Sequence, residues 1–423
     1  MELKPTLKQA YDLFHKGILC FSDMEDEGIC VDKKYYEKTY EKLTKRVRFL
    51  VQKISEMEPA QMFKLKTGKD IISFDTKLHV SHQDLSKLFF RFMGMKPIKF
   101  TEKENISSDD VVLEKIGTPF TKEILKVKKL EKNRTTYIGG IKDLATLDSD
   151  GLWKIHPSFN LHIPRSYRSS SDSPNFQNIP AHDEESRLLV RTGIIPRPGN
   201  KLGWADYGGH EVRIMACYSH DPELIRMINN GEDPHQEWAD YLGTSRFDAK
   251  NSFVFALAYG SYYKSIYASL TSDYPKLSER RVELAEREFW KKFAILKKWQ
   301  EELIRSYYKN GYIEMLTGFR CIGVLSHNQI VNTPVQGTAF HLLLWSCIEL
   351  NRIRKEENWE TKIPGQIHDE IFMDIKPEEE NDWRKNVEWV MVEGTRRNFP
   401  WAIVPLQADY GSGEIDQPWI VKK

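Results

Sequence analysis

Two acid-bearing segments far apart in the chain, both of which read as strands, limit its folds most. LGWADY is a buried apolar run that ends at Asp206. KIPGQIHDEIFMDIK alternates apolar residues on both sides of His368-Asp369, the pattern of a hairpin whose tip carries Asp369 and Glu370. Carboxylates at two remote points can converge on divalent metal. Between them, SRFDAKNSFVFALAYG reads as a helix with Arg246, Lys250, Phe255 and Tyr259, and its basic groups can hold a triphosphate. That combination suits nucleotidyl transfer. For a single aspartate taken alone, a cap or a turn is the ordinary alternative.

At 423 residues the chain is too long for one simple core and is expected to divide into two to four domains or subdomains. Its net charge of +1 hides an uneven distribution. Lys122, Lys126, Lys128, Lys129, Lys132, Arg134 and Lys142 lie close together, opposed only by Glu123 and Glu131. A basic stretch beside an acidic site is what phosphate contacts and metal ligands together require, although a solvated helix face has the same look. The five cysteines are scattered without CxxC spacing, which argues for a reducing compartment and against structural zinc. No apolar run approaches a membrane span, and Met1 is followed by a charged, helix-like segment, so a soluble cytoplasmic protein is expected.

Along the chain, residues 6–56 read as helices broken at EDEGICVD, with Gly28 and Asp32 at the turn. Ser81 is the expected cap of HQDLSKLFFRFMG, and Ser107-Ser-Asp-Asp opens another helix ahead of the basic one. From about 146 to 206 the texture is that of a long functional loop, IPRSYRSSSDSPNFQNIP. Residues 279–308 have a 3.6-residue spacing, and GYIEMLTGFR reads as a strand and turn. NTPVQGTAFHLLLWSCIELNRI reads as a helix opened by Thr333-Pro334, with proline in the tolerated first turn.

In this order the segments resemble the polymerase portion of family A (Pol I-like) DNA polymerases of phage or bacterial type, over nearly the whole chain. RSSSDSPNFQNIP resembles the primer-binding loop, DYGGHEVRIMA motif A, RFDAKNSFVFALAYG motif B, NTPVQGTA the template-side helix and QIHDE motif C. The resemblance implies an α+β right-hand fold with an antiparallel palm sheet, helical fingers and a helical thumb. Its expected parts are an N-terminal helical remnant (1–20), thumb (21–145), first palm part with the primer-binding loop (146–210), fingers (211–325) and second palm part with the motif C hairpin (326–423). It further implies template-directed addition of dNMP to a primer 3′-hydroxyl, in replication or repair.

Carried over residue by residue, Asp206 and Asp369 hold two Mg²⁺ ions, with Mn²⁺ able to substitute, and the Tyr207 carbonyl is a further ligand. Glu370 supports them, and His368 contacts the primer-terminal phosphate or only closes the hairpin tip. Glu211 stands at the sugar gate, where its stem fills the space of a 2′-hydroxyl. Arg246, Lys250 and His235 bind the triphosphate, and Lys250 is placed to protonate pyrophosphate. Phe255 and Tyr259 stack on the incoming sugar and base, and a core stripe is the alternative for Phe255. Arg168, Asn175, Gln177 and Asn178 match primer-side positions, and Asn332 and Gln336 template-side minor-groove readers. Arg191, Arg320 and the 122–142 stretch are expected at the DNA backbone.

Three departures from the family pattern stand out. Phe255 is five residues after Lys250, where four is usual. One extra residue turns an α-helix by ~100°, so a π-bulge is predicted between them. Gly208-Gly209-His210 replaces the usual Ser-Gln-Ile, which removes a glutamine expected to tie palm to fingers. Asn328 stands where arginine is frequent. Too few residues precede MEDEGICVD for a 3′–5′ exonuclease domain, so proofreading is expected to be absent from this chain. The expected partners are primer-template DNA, dNTPs and a separate exonuclease or replisome component, with no membrane partner, for a protein acting as a monomer. RNA synthesis, reverse transcription and a catalytically silent DNA-binding scaffold are the competing functions. Glu211 and the QNIP loop speak against the first, and the retained Asp206, Asp369, Arg246 and Lys250 against the last.

Overall fold

The structure is a computed structural model and describes residues 5–101, 104–181 and 183–419; the charged start at Met1 lies outside them. Helix α1 (Leu7–Glu27) opens on a reciprocal capping box between Thr6 and Gln9. Its buried residues Ala10, Leu13, Gly17, Cys20, Phe21 and Met24 lie along one helical stripe, and all but Gly17 belong to the largest core. The helix runs unbroken across residue 20, where the expected N-terminal part ends. Gly28 turns the chain at φ +63°, and a side chain there would collide with the His156 ring. Asp32 then accepts from the Tyr35 amide and caps helix α2 (Lys33–Ser55).

A second, smaller core gathers Val47, Leu50 and Ile54 of α2 with Phe63, Leu85, Phe89, Phe120, Ile124 and Val127. Every residue of that core falls inside the span expected to form the thumb. The basic helix α3 (Pro119–Lys132) supplies its last three members and passes into a π-helical turn at Asn133–Gly139. Much of its charge is neutralised within the protein. Arg134 is 1% exposed, bound to both Glu131 oxygens at 2.8 Å and to the Tyr40 hydroxyl at 2.6 Å. Lys129 reaches Asp183 at 2.7 Å and Glu185 at 3.1 Å. Arg134 is therefore not available to a DNA backbone, because burying it required the glutamate one helical turn away.

The main sheet has four antiparallel strands. Strand β1 (Lys201–Tyr207) begins it, and helix α4 (His210–Ser219) follows directly. Helix α5 (Pro234–Leu242) and the α–π–α segment from Arg246 to Ala258 come next. The periodic run 279–308 is two helices, Glu279–Lys292 and Ala294–Asn310, broken at Phe293. Helix α6 (His327–Glu356) leads into β2 (Lys362–Ile367) and β3 (Glu370–Ile375), and β4 (Ala408–Ser412) closes the sheet in the order β2-β3-β1-β4. Central β3 is buried along its whole length. On one face Tyr207 reaches back to Ser346 of α6 at 2.9 Å and to Thr395 at 3.0 Å.

Two local readings are corrected. Pro334 is not in the first turn of its helix but inside α6, which starts at Ser326 through a capping box with Gln329. That pair satisfies the first amides well upstream, so proline's preference for the first turn does not set the boundary. The 146–206 region is less open than a loop: Ser158–Asn160 pairs with Ser170–Asp172, a 3₁₀ turn spans Phe176–Asn178, and a helix spans Glu184–Arg191.

Candidate active site

The acid end of the site is set by sheet register. Asp206, one residue before the end of β1, pairs with Glu370 on β3 and with Asp409 on β4. Paired residues in antiparallel strands share a face, with Cα atoms about 4.5–5.5 Å apart. Glu370, Asp206 and Asp409 therefore stand abreast on one face, and Asp369 is the next residue beyond Glu370. The hairpin closes through the two residues His368 and Asp369, with His368 at φ +55°. Asp369 is exposed at the tip, Asp206 half-buried and Glu370 buried. The two remote aspartates are thus brought to adjacent strands. Asp409 was missed by the sequence reading; its only signal is the short alternation LQADYGS after Pro405.

Beneath Glu370, Arg191 lies 3.8 Å from the centroid of the Trp419 ring. Burial pulls its guanidinium down to about 10, and the Glu370 charge opposes that fall. The arginine is thus packed against an internal aromatic ring.

The turn after Asp206 carries two glycines. Gly209 sits at φ +59° and precedes α4, whose first residues are His210 and Glu211. His210 is 4% exposed, its ring 4.2 Å from that of Tyr207, and neither ring nitrogen has a partner among the described residues. Burial lowers its pKa to about 4. Glu211 accepts a hydrogen bond from the Tyr259 hydroxyl. Burial raises the Glu211 pKa, against the opposing pull of that hydrogen bond and of Arg168 and Lys250.

Opposite the acids, the basic and aromatic groups lie on an irregular helix. Arg246–Asp248 is α-helical, Ala249–Val254 is π-helical, and Phe255–Ala258 returns to α. The predicted bulge is present where the extra residue falls. A π turn bonds residue i to i+5, so residues five apart come into line. Lys250 Nζ accordingly lies 5.7 Å from the Phe255 ring centroid, and the Phe255 and Tyr259 rings stack at 5.8 Å with 13° between their planes. The core role falls to Phe253 instead, fully buried at 5.2 Å from Trp238, while Phe255 stays half-buried. His235 faces Phe255 at 5.4 Å, and burial lowers its pKa to about 4, with Asp233 opposing and Lys250 and Arg246 adding to the fall. Arg246 itself is exposed and paired with Asp233, whose carboxylate also caps α5 through the His235 amide at 2.9 Å.

The expected DNA-side residues divide. The Arg168 charge acts to lower the pKa of His210, Glu211, Tyr259 and His368. Gln336 and Asn332 lie one turn apart on α6, and both are half-buried. His368 is at the hairpin tip, its pKa lowered by the surrounding walls and by Arg168. Asn175 and Asn178 are exposed, with the Asn175 side chain capping the 3₁₀ turn through the Asn178 amide at 3.1 Å. Gln177 is 6% exposed and donates to Ser169 at 2.8 Å, so it braces the loop from within. Arg320 pairs with Glu314 at 3.0 Å across its own hairpin.

Comparison with known proteins places this geometry. The model of DNA polymerase family A matches residues 33–417. DNA polymerase I of Streptococcus pneumoniae is 25% identical over 96% of this chain and 46% of its own length. The thermostable DNA polymerase I of Thermus aquaticus is 28% identical over 79% of this chain and 41% of its own. The DNA polymerase of Bacillus phage SP01 is 25% identical over 86% of this chain. The chain spans about half the length of the curated relatives it matches. Among solved structures, the POL domain of Pol1 from M. smegmatis, in complex with DNA primer-template and dNTP, has the same fold. It aligns with a TM-score of 0.78 at 24% identity, over 94% of this chain and 69% of that one.

Proposed function

The chain belongs to DNA polymerase family A and has the right-hand polymerase fold, and on that premise we propose that it adds dNMP from dNTP to the 3′-hydroxyl of a primer paired to a DNA template. The observation that carries this reading is the pairing of β1 with β3, which sets Asp206 beside the strand whose tip is Asp369.

Asp206 and Asp369, with the Tyr207 carbonyl, are the groups that would hold Mg²⁺. Among the described residues no cluster of three or more His, Cys, Asp or Glu side chains closes on one point. Mg²⁺ is held through one or two carboxylates and keeps its other positions for phosphate and water, so two aspartates would suffice. When bound, the ion supplies charge neutralisation and a more acidic primer hydroxyl. Arg246, Lys250 and His235 would form the grip for the triphosphate. Asp233 pairs with Arg246, and an incoming phosphate would compete for that arginine. Lys250 is placed to give a proton to the departing pyrophosphate. Phe255 and Tyr259 offer a stacked wall for the sugar and base, and Glu211, tied to Tyr259, narrows the space where a ribose 2′-hydroxyl would sit. Arg168, Asn332, Gln336 and His368 suit the primer terminus and the new pair. Asn175 and Asn178 lie on the exposed side of the neighbouring loop and suit the primer strand.

The test is primer extension on a DNA template with Mg²⁺, comparing dNTPs with rNTPs. Template-directed extension with dNTPs is expected, and its absence from folded protein would remove the assignment.

A further inference from the structure

The turn that carries the candidate metal ligands lacks side chains of its own to hold it. Gly208 and Gly209 follow Asp206-Tyr207, and Gly209 is at positive φ with nothing closer to an added Cβ than Arg213 Nε at 3.9 Å. The edge strand holds the turn instead. The Gly208 amide donates to the Gln407 carbonyl at 2.9 Å. Arg213, one turn into α4, donates from Nε to the Gly208 carbonyl at 2.9 Å, from Nη2 to Gln407 Oε1 at 3.1 Å, and from Nη1 to the Pro405 carbonyl. One guanidinium thus bridges the turn and two residues of the segment entering β4. The Gln407 side chain also occupies the space beside Gly208, where an added Cβ would lie 3.2 Å from Gln407 Cδ. Two residues further on, Asp409 is in register with Asp206.

We infer that Gln407 and Arg213 form a clamp, supplied by the edge strand and the first fingers helix, that positions the Asp206-Tyr207-Gly208 turn for catalysis. The inference rests on the proposed polymerase reading. It makes these two positioning residues, acting through Asp206 and the Tyr207 carbonyl without touching substrate. It also explains why a glycine pair is tolerated in motif A: the amide group missing from the turn comes from Gln407, in the neighbouring segment that enters β4.

A compensating pair tests it. Gln407→Ala removes one neutral hydrogen-bonding side chain, and kcat for dNMP incorporation should fall about three- to tenfold. KM for dNTP should change by less than about twofold, and half-maximal activity should need more Mg²⁺, because the change acts on the acid end and not on the triphosphate grip. Gly208→Ser alone should lower kcat similarly by pushing Gln407 aside. The backbone there is not at positive φ, so a side chain is conformationally acceptable. With Gln407→Ala present the serine has room and an oxygen to offer Arg213, so the double variant should recover most of the loss. Circular dichroism at the assay temperature controls for folding. Losses that multiply in the double variant, or an unchanged kcat in folded Gln407→Ala, would overturn the clamp while leaving the polymerase reading intact. A folded wild-type protein that extends no primer would instead remove the polymerase reading itself.

Discussion

The acid tip of the sheet and the basic helix facing it are built on opposite principles. Asp206 and Asp369 are placed by a register of six consecutive β1–β3 pairs running from Lys201–Ile375 to Asp206–Glu370. A one-residue slip there would turn every side chain to the other face. Lys250 and Phe255 are placed by a helix that changes its hydrogen-bonding pattern twice within a few residues. A slip of register would displace the acids, whereas the π turn brings residues five apart into line. Metal ligation needs fixed carboxylates, and gripping a flexible triphosphate needs only charges on the correct face. The contrast shows where this fold can accept a change of length.

The sharpest way to break that contrast is at the acids. Asp206→Asn keeps the register and removes one charge, and single-turnover incorporation should fall at least about a thousandfold, the loss of several kcal/mol of charge stabilisation. On the opposite side, Lys250→Ala should lower kcat by about a hundredfold through loss of a proton donor and phosphate charge, read in the same assay. Glu211→Ala should leave dNTP use largely intact and reduce discrimination against rNTPs by about ten- to a hundredfold, measured as the ratio of kcat/KM values. Unchanged discrimination would refute the gate. The smallest effect sharpens the comparison: deleting Ser252 should return the segment to a continuous α-helix with Lys250 and Phe255 four apart. Activity should stay within about tenfold of wild type, because residues four apart also share a face. Inactivity of that folded variant would mean that the π turn does more than absorb an extra residue.

Sheet and hairpin were legible because alternation has a period of two and a two-residue tip leaves little freedom. The π turn was legible for a related reason, since counting residues between two groups that must share a face exposes a surplus of one. Pro334 misled because proline's local preference was weighed without the Ser326–Gln329 capping box upstream. Within the basic stretch, charge alone does not name a partner: Arg134 is held by Glu131 one turn away and by Tyr40 on another helix. The place of Asp409 beside Asp206 stayed hidden because it comes from pairing with β1, which joins segments distant in the chain. Gln177 looked like a DNA contact, yet its burial against Ser169 depends on how the loop folds on itself.

The most direct test of the account is the single-turnover rate of dNMP incorporation by Asp369→Ala, compared with wild type across a Mg²⁺ and Mn²⁺ titration on the same primer-template. The account predicts no measurable extension by the variant at any metal concentration, with binding of primer-template DNA retained. Extension at a rate near wild type would contradict it.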